Sequence, residues 1–191
     1  MSERRSNAMP GVECASVLIR DSCEADLVPI QAIYAHHVRH GSASFELDPP
    51  DLVEMGRRRS DVLANGFPYL VAECDGQVQG YAYVNLFRAR PAYRFSVENS
   101  IYIAEAAQGR GLGRKLLEAL IEGAEAAGAR QMLAVIGDSA NTASIGLHAA
   151  CGFRFAGLLQ ASGWKFGRWV DTVLMQRALG DGALTEPPPG V

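Results

Sequence analysis

Apolar positions along this chain follow two rhythms, one helical and one extended. Leu27, Ile30, Ile33 and Tyr34 recur at helical spacing behind the cap residues Asp21 and Ser22. They predict a helix from about Glu24 to Val38, closed by Gly41 and Ser42. Leu112, Leu116, Leu117, Leu120, Ile121 and Ala124 form a second stripe, with Glu118, Glu122 and Glu125 off it. That helix ends near Ala127, where Gly128 supplies a stop. Further helices are expected from Pro50 to Ala64 and from Asn141 to Ala150. Extended runs fill the rest: Ser16–Arg20, Tyr69–Cys74, Val78–Phe87, Ser96–Ala104, Met132–Ile136, Phe153–Leu159 and Arg168–Arg177. Asp75-Gly76 between two of them is a hairpin signal. Gln160–Gly167 is expected to be a loop. The order β-α-α-β-β-β-α-β-α-β-β describes a mixed α/β sheet in one domain over residues 15–179. A disordered tail over residues 1–14 and a flexible one over residues 180–191 flank it.

Composition narrows the function more than the fold. A chain of 191 residues with 48% hydrophobic and 20% charged positions is ordinary for a single globular domain. The net charge of -3 gives no general case for nucleic acid. No apolar run is long enough for a membrane helix, and Arg4 and Arg5 have no apolar segment behind them to make a signal peptide. Cys14, Cys23, Cys74 and Cys151 form no C-x-x-C pair and read as reduced thiols of a cytoplasmic protein. His36 and His40 are spaced for a metal, but no third ligand is evident; the reading is a solvated helix face and no metal.

The densest chemistry lies in Gln108-Gly109-Arg110-Gly111-Leu112-Gly113-Arg114-Lys115, between an extended run and the long helix. Three glycines at alternate positions permit a tight turn and leave backbone N–H groups uncovered. The helix start adds unpaired donors and partial positive charge, and three basic side chains add more. Such a loop seats a phosphate or pyrophosphate. It is not a P-loop, because Arg114-Lys115-Leu116 follows Gly113, and it is not G-x-G-x-x-G, because position 114 is Arg.

Read as Gln108-x-x-Gly111-x-Gly113, the loop resembles the acetyl-CoA loop of the GNAT superfamily of N-acetyltransferases. The superfamily's later element, an Asn opening a helix that ends in Gly-Phe, is matched by Asn141 and Leu147–Phe153. Phe87–Glu98, Lys165–Asp171 and Met175–Arg177 resemble the phosphinothricin and methionine sulfoximine acetyltransferases within it. The resemblance spans residues 16–179. It implies an α/β fold with a mixed, mostly antiparallel central sheet flanked by helices, its splayed strands holding acetyl-CoA. It also implies direct acetyl transfer to the amino group of a small amino-acid analogue, and a homodimer.

The resemblance places the general base at Glu98. Glu98, Ser100 and Tyr102 share one face of their strand, and Val97, Asn99, Ile101 and Ile103 the other. Glu98 to Ala104 spans about 20 Å at ~3.3 Å per residue, on the order of a pantetheine arm. Pyrophosphate at Gly109–Lys115 therefore leaves a thioester near Glu98. The backbone of Tyr102, Ile103 and Ala104 would bond the arm, with Asn141 on its other side. His148 either protonates the leaving thiolate, orients substrate, or is structural. Arg is suited to bidentate carboxylate capture, so the loop from Arg88 to Tyr93 is the expected clamp. Arg90 is its principal residue, Ala89 and Pro91 line the pocket, and Tyr93 stands nearby. Asn99, Ser100 and Ile101 would border the amine, and Phe45, Lys165 and Trp169 are secondary candidates. Two alternatives remain at this stage: acetylation of a peptide N-terminus or another amine, and a catalytically silent acyl-CoA-binding sensor. The Arg-rich loop disfavours polyamines, which it would repel.

Overall fold

The computed structural model describes residues 16–187; the expected N-terminal tail, and the prolines beyond Pro187, lie outside the described residues. The chain order is β1 (Val17–Asp21), α1 (Leu27–His40), α2 (Leu52–Ala64), β2 (Tyr69–Cys74), β3 (Gln77–Leu86), β4 (Ser96–Ile103), α3 (Leu112–Ala126), β5 (Gln131–Gly137), α4 (Thr142–Ala150), β6 (Arg154–Lys165) and β7 (Arg168–Ala178). The strands form one sheet in the order β1-β2-β3-β4-β5-β7-β6. Its pairs are antiparallel except β4 with β5, which run parallel.

Local chemistry explains most boundaries. Asp51 caps α2 by accepting from the Glu54 N–H at 2.8 Å. Asp75 and Gly76 both take positive φ in the β2–β3 turn, as a tight hairpin requires. The predicted stripe of α3 is buried from Leu112 to Ala124 and packs on the sheet's interior.

Alternation along β4 assigns the two layers. The ring of Tyr102 packs against Tyr34 and His37 of α1, with centroids 4.9 and 5.4 Å away. Ile103 lies beside Gly113 of α3, which itself touches Leu147 of α4. So α1 covers the face of Glu98, Ser100 and Tyr102, while α3 and α4 cover the face of Val97, Asn99, Ile101 and Ile103.

Three expectations are corrected. Gln160–Gly167 is not a loop: β6 continues to Lys165 and turns at Phe166-Gly167, both at positive φ. A register shift between Leu159 and Gly163, with Ala161 at positive φ, is the bulge that hides this strand in the sequence. Residues 180–185, expected in a flexible tail, turn back on the domain, where Arg130 Nε donates to the Gly182 carbonyl at 2.9 Å. Cys23 and Cys151 are free thiols, but Cys74 is disulfide-bonded, against the reading of four reduced thiols.

Candidate active site

The strands β4 and β5 pair only over Ser96–Asn99 and Gln131–Ala134. Beyond Asn99, β4 pairs with β3 alone; beyond Ala134, β5 pairs with β7 alone. The sheet opens there into a cleft of about 380 Å³. Glu98 to Tyr102 form one wall and Ala134 to Gly137 the other, with α1, α4 and the Ala43–Glu46 loop closing the remainder. Two unpaired strand edges facing one gap can bond an extended ligand as a missing strand would.

Hydrogen-bond parity shows which groups are available. Ser96 accepts from Phe87 N–H, and Ala104 N–H donates to Gln79, so even-numbered residues of β4 direct their backbone polar groups to β3. The open edge therefore carries Ile101 and Ile103. Tyr102, expected to offer its backbone, directs those groups to Tyr81 and lines the cleft with its side chain, while Ile101 keeps its backbone groups on the open edge. Ala104 N–H is likewise taken by β3. The Ile103 carbonyl already pairs with His37 Nε2 at 2.8 Å, which leaves its N–H for a ligand.

Glu98 is half-buried at the start of the opening. Burial pushes its carboxyl pKa above the ordinary range, and Arg88 opposes the shift. That is the tuning a general base needs near neutral pH. Tyr83, across from Ser100 in the β3–β4 register, lines the same cleft, and Glu46 is held by Arg58 Nη1 at 2.6 Å.

His148 sits across the sheet from Glu98, at 2% exposure. Its Nε2 meets Asn99 Oδ1 at 3.0 Å and its Nδ1 meets the Ser144 carbonyl at 2.8 Å. Asn99 Nδ2 donates to the Leu133 carbonyl at 2.9 Å, which turns Oδ1 towards the imidazole. Burial lowers the His148 pKa, with the Ser144 carbonyl opposing. Asn141 caps α4 by accepting from Ser144 N–H at 3.2 Å, and it also lines the cleft.

The glycine loop lies beyond the far end of β4. Gly109 and Gly111 take φ +74 and +78, and a Cβ on either would meet nothing within 4 Å. Backbone conformation, not space, requires glycine there. Gly111 is the N-cap of α3 and no side chain caps the helix, so its first N–H groups face outward. Arg114 pairs with Glu118 at 2.8 Å, on the surface. These uncapped donors fit a pyrophosphate, and the open edges fit the arm of the same molecule.

Glu98, Asn99, Ser100, Ile101, Tyr102, Asn141, His148 and Phe45 thus meet around one cleft. Ala89, Arg90, Pro91 and Tyr93 do not line it: they form an exposed loop with a 3-10 turn at Pro91–Tyr93, and Tyr93 packs edge-on against Phe87. Lys165 lies behind the Ala43–Glu46 loop and Trp169 is exposed. The reading missed Tyr34, Ser44, Glu46 and Tyr83, which line the same cleft. Only tertiary packing brings these four to it. Gly41 and Ser42 marked the end of a helix without saying where the chain beyond it would go.

Residues 19–174 match the family model described as an acetyltransferase (GNAT) domain. The phosphinothricin N-acetyltransferase of Alcaligenes faecalis is 57% identical over 174 residues, covering 91% of this chain and 87% of its own. The L-methionine sulfoximine/L-methionine sulfone acetyltransferase of Pseudomonas aeruginosa is 42% identical over 162 residues, covering 84% and 94%. A phosphinothricin acetyltransferase from Sinorhizobium meliloti, solved in complex with AcCoA, superposes with a TM-score of 0.89 at 48% identity, over 92% of this chain and 95% of its own. A strand pair splayed beside a glycine-led helix, a half-buried glutamate at the fork and these matches lead to one conclusion: the chain belongs to the GNAT family of acetyltransferases.

Proposed function

We propose that this protein transfers acetyl from acetyl-CoA to the amino group of a small amino-acid analogue such as phosphinothricin, methionine sulfoximine or methionine sulfone. The observation that carries the reading is Glu98 at the fork of β4 and β5, on the face opposite His148. The bound co-substrate supplies an activated thioester carbonyl. Gln108–Lys115 holds its pyrophosphate, and Ile101, Ile103 and Asn141 hold its arm. Glu98 takes the proton of the incoming ammonium, directly or through a water, and frees the lone pair that attacks the thioester carbonyl; the C–S bond then breaks, and the departing CoA thiolate takes the second proton that the nitrogen sheds as the amide forms. The Arg88–Tyr93 loop receives the substrate's carboxylate. Arg90 is exposed there, and Arg88 is the cation whose field reaches Glu98. His148 holds Asn99 and the fork in place.

The same reading includes a homodimer in the cytoplasm, where acetyl-CoA is available. Trp164 and Trp169, 57% and 62% exposed, pack edge-on at 5.3 Å on the β6–β7 hairpin, which also exposes Phe155, Leu158, Leu159 and Phe166. Exposed apolar side chains of that kind fit a second copy of the chain. Light scattering would give a dimer mass, and Trp164→Glu would reduce it to the monomer; a monomeric wild type would end this part. For the activity, thiol release from acetyl-CoA would be followed with the analogues, with ordinary amino acids and with peptides. Preference for the analogues is expected, and preference for a peptide N-terminus would redirect the reading.

A further inference from the structure

Lys165 ends β6 as a buried cation with no carboxylate beside it. The residue is 2% exposed, and among the described residues its ammonium is in no ion pair. Its Nζ donates to the carbonyls of Gly41 at 2.9 Å and Ser44 at 2.6 Å. Desolvation pulls its pKa below the usual lysine range, and Glu46 is the carboxylate that opposes this. Burying an ammonium against two carbonyl dipoles and the face of Phe166, 5.0 Å from the ring centroid, is an expensive way to join two segments. An apolar side chain would fill the space more cheaply.

What the ammonium grips is a segment that closes the cleft on the α1 side, the face that carries the base. Ala43, Ser44, Phe45 and Glu46 line the cleft together with Glu98 and Ser100, and Ser44 is bonded to Tyr34 of α1. The segment is seated with little slack. The Ser42 carbonyl occupies the space a Cβ on Gly137 would need, at 2.2 Å. The Phe45 ring lies 2.7 Å from where a Cβ on Gly163 would stand. Ser44 Oγ pairs with the Tyr34 hydroxyl at 3.1 Å and accepts from Glu46 N–H at 3.2 Å. The groups assigned to the donor, the Ile101–Ile103 edge and the glycine loop, belong to other elements.

We propose that Lys165 is a positioning residue for the acceptor: by gripping the carbonyls of Gly41 and Ser44 it fixes Phe45 and Glu46 at the cleft wall, and so sets which amine is accepted. The proposal rests on the acetyltransferase reading above. Lys165 touches neither substrate. Its grip is felt in acceptor binding and not in donor binding, which separates it from a general structural anchor.

The test compares Lys165→Met, Lys165→Arg and Gly163→Ala with the wild type. It measures KM for acetyl-CoA, KM for the best acceptor of the wild type, and amide hydrogen exchange of residues 42–46. Lys165→Met is expected to raise the acceptor KM about tenfold or more while the acetyl-CoA KM stays within about twofold. Exchange should quicken at 42–46 and not in β4. Gly163→Ala, which drives Phe45 from its seat, should give the same split, and Lys165→Arg should recover part of the loss. A folded Lys165→Met with both KM values unchanged, or with both raised alike, would overturn the proposal. If that variant does not fold, Gly163→Ala with an unaltered acceptor KM overturns it instead. A wild type that acetylates no amine would refute the acetyltransferase reading. The grip would then be decided by exchange alone, and unchanged exchange at 42–46 in Lys165→Met would refute it too.

Discussion

His148 Nε2 and Asn99 Oδ1 face each other at 3.0 Å, and this bond ties α4 to β4 at the last residue where β4 still pairs with β5. It stands on the opposite face of the sheet from Glu98. His148→Phe should therefore lower stability by about 1–3 kcal/mol, because the buried Asn99 side chain loses its imidazole partner. The turnover number should stay within about tenfold, short of the loss expected from a proton-transfer group. Urea unfolding and initial rates would check both. A fall of about 10² or more in kcat without loss of stability would give His148 the thiolate's proton instead.

The same burial predicts how stability varies with pH. His148 and His37 both have pKa values lowered from 6.5 by desolvation, so the folded state binds fewer protons than the unfolded chain near and below that pH. Their contribution is present above pH 6.5 and is lost as the pH falls through the lowered values. The melting temperature should decline on acidification from neutrality. In His148→Gln the decline should be shallower, by about one proton's worth of slope. An unchanged slope would place the titration elsewhere.

Arg88 supplies a signature of its own. Its charge opposes the burial that raises the Glu98 pKa, so removing it lets that pKa rise further. A base must be unprotonated to act, and the acid limb of kcat/KM should move to higher pH in Arg88→Ala. Arg90→Ala should instead raise the acceptor KM, by about tenfold, and leave the limb in place. A limb unmoved in Arg88→Ala would mean that Glu98 does not set it.

Gly111→Ala isolates backbone conformation from space. Its φ of +78 costs an L-residue about 1–2 kcal/mol, although a Cβ there would meet nothing. Stability should fall by about that amount and the acetyl-CoA KM should rise, with the acceptor KM unaffected. Equal effects on both substrates would contradict a pyrophosphate seat.

Much of this is legible in the sequence. The α3 stripe, the Asp75-Gly76 hairpin and the strand carrying Glu98 each declare themselves through local spacing, and the glycine loop declares a conformation that only glycine adopts freely. The end of β6 did not, because Gln160, Ser162 and Gly163 sit on a bulged edge whose identity comes from pairing with β7. The 41–46 wall and the tyrosines Tyr34 and Tyr83 were silent for the same reason: their place at the cleft depends on contacts far along the chain. Side-chain parity was legible in the sequence, but backbone parity needs the register with β3, which leaves the backbone groups of Ile101, and not those of Tyr102, on the open edge.

The central claim is that Glu98 at the fork drives acetyl transfer to an amino-acid analogue. Its most direct test is acetyl-CoA-dependent thiol release, measured across pH for the wild type and for Glu98→Gln with methionine sulfone and phosphinothricin. The account predicts release by the wild type and a kcat about 10²–10⁴ lower in Glu98→Gln, with acetyl-CoA binding intact. Near-normal turnover by Glu98→Gln at every pH would contradict it, as would tight acetyl-CoA binding by a wild type that acetylates no amine.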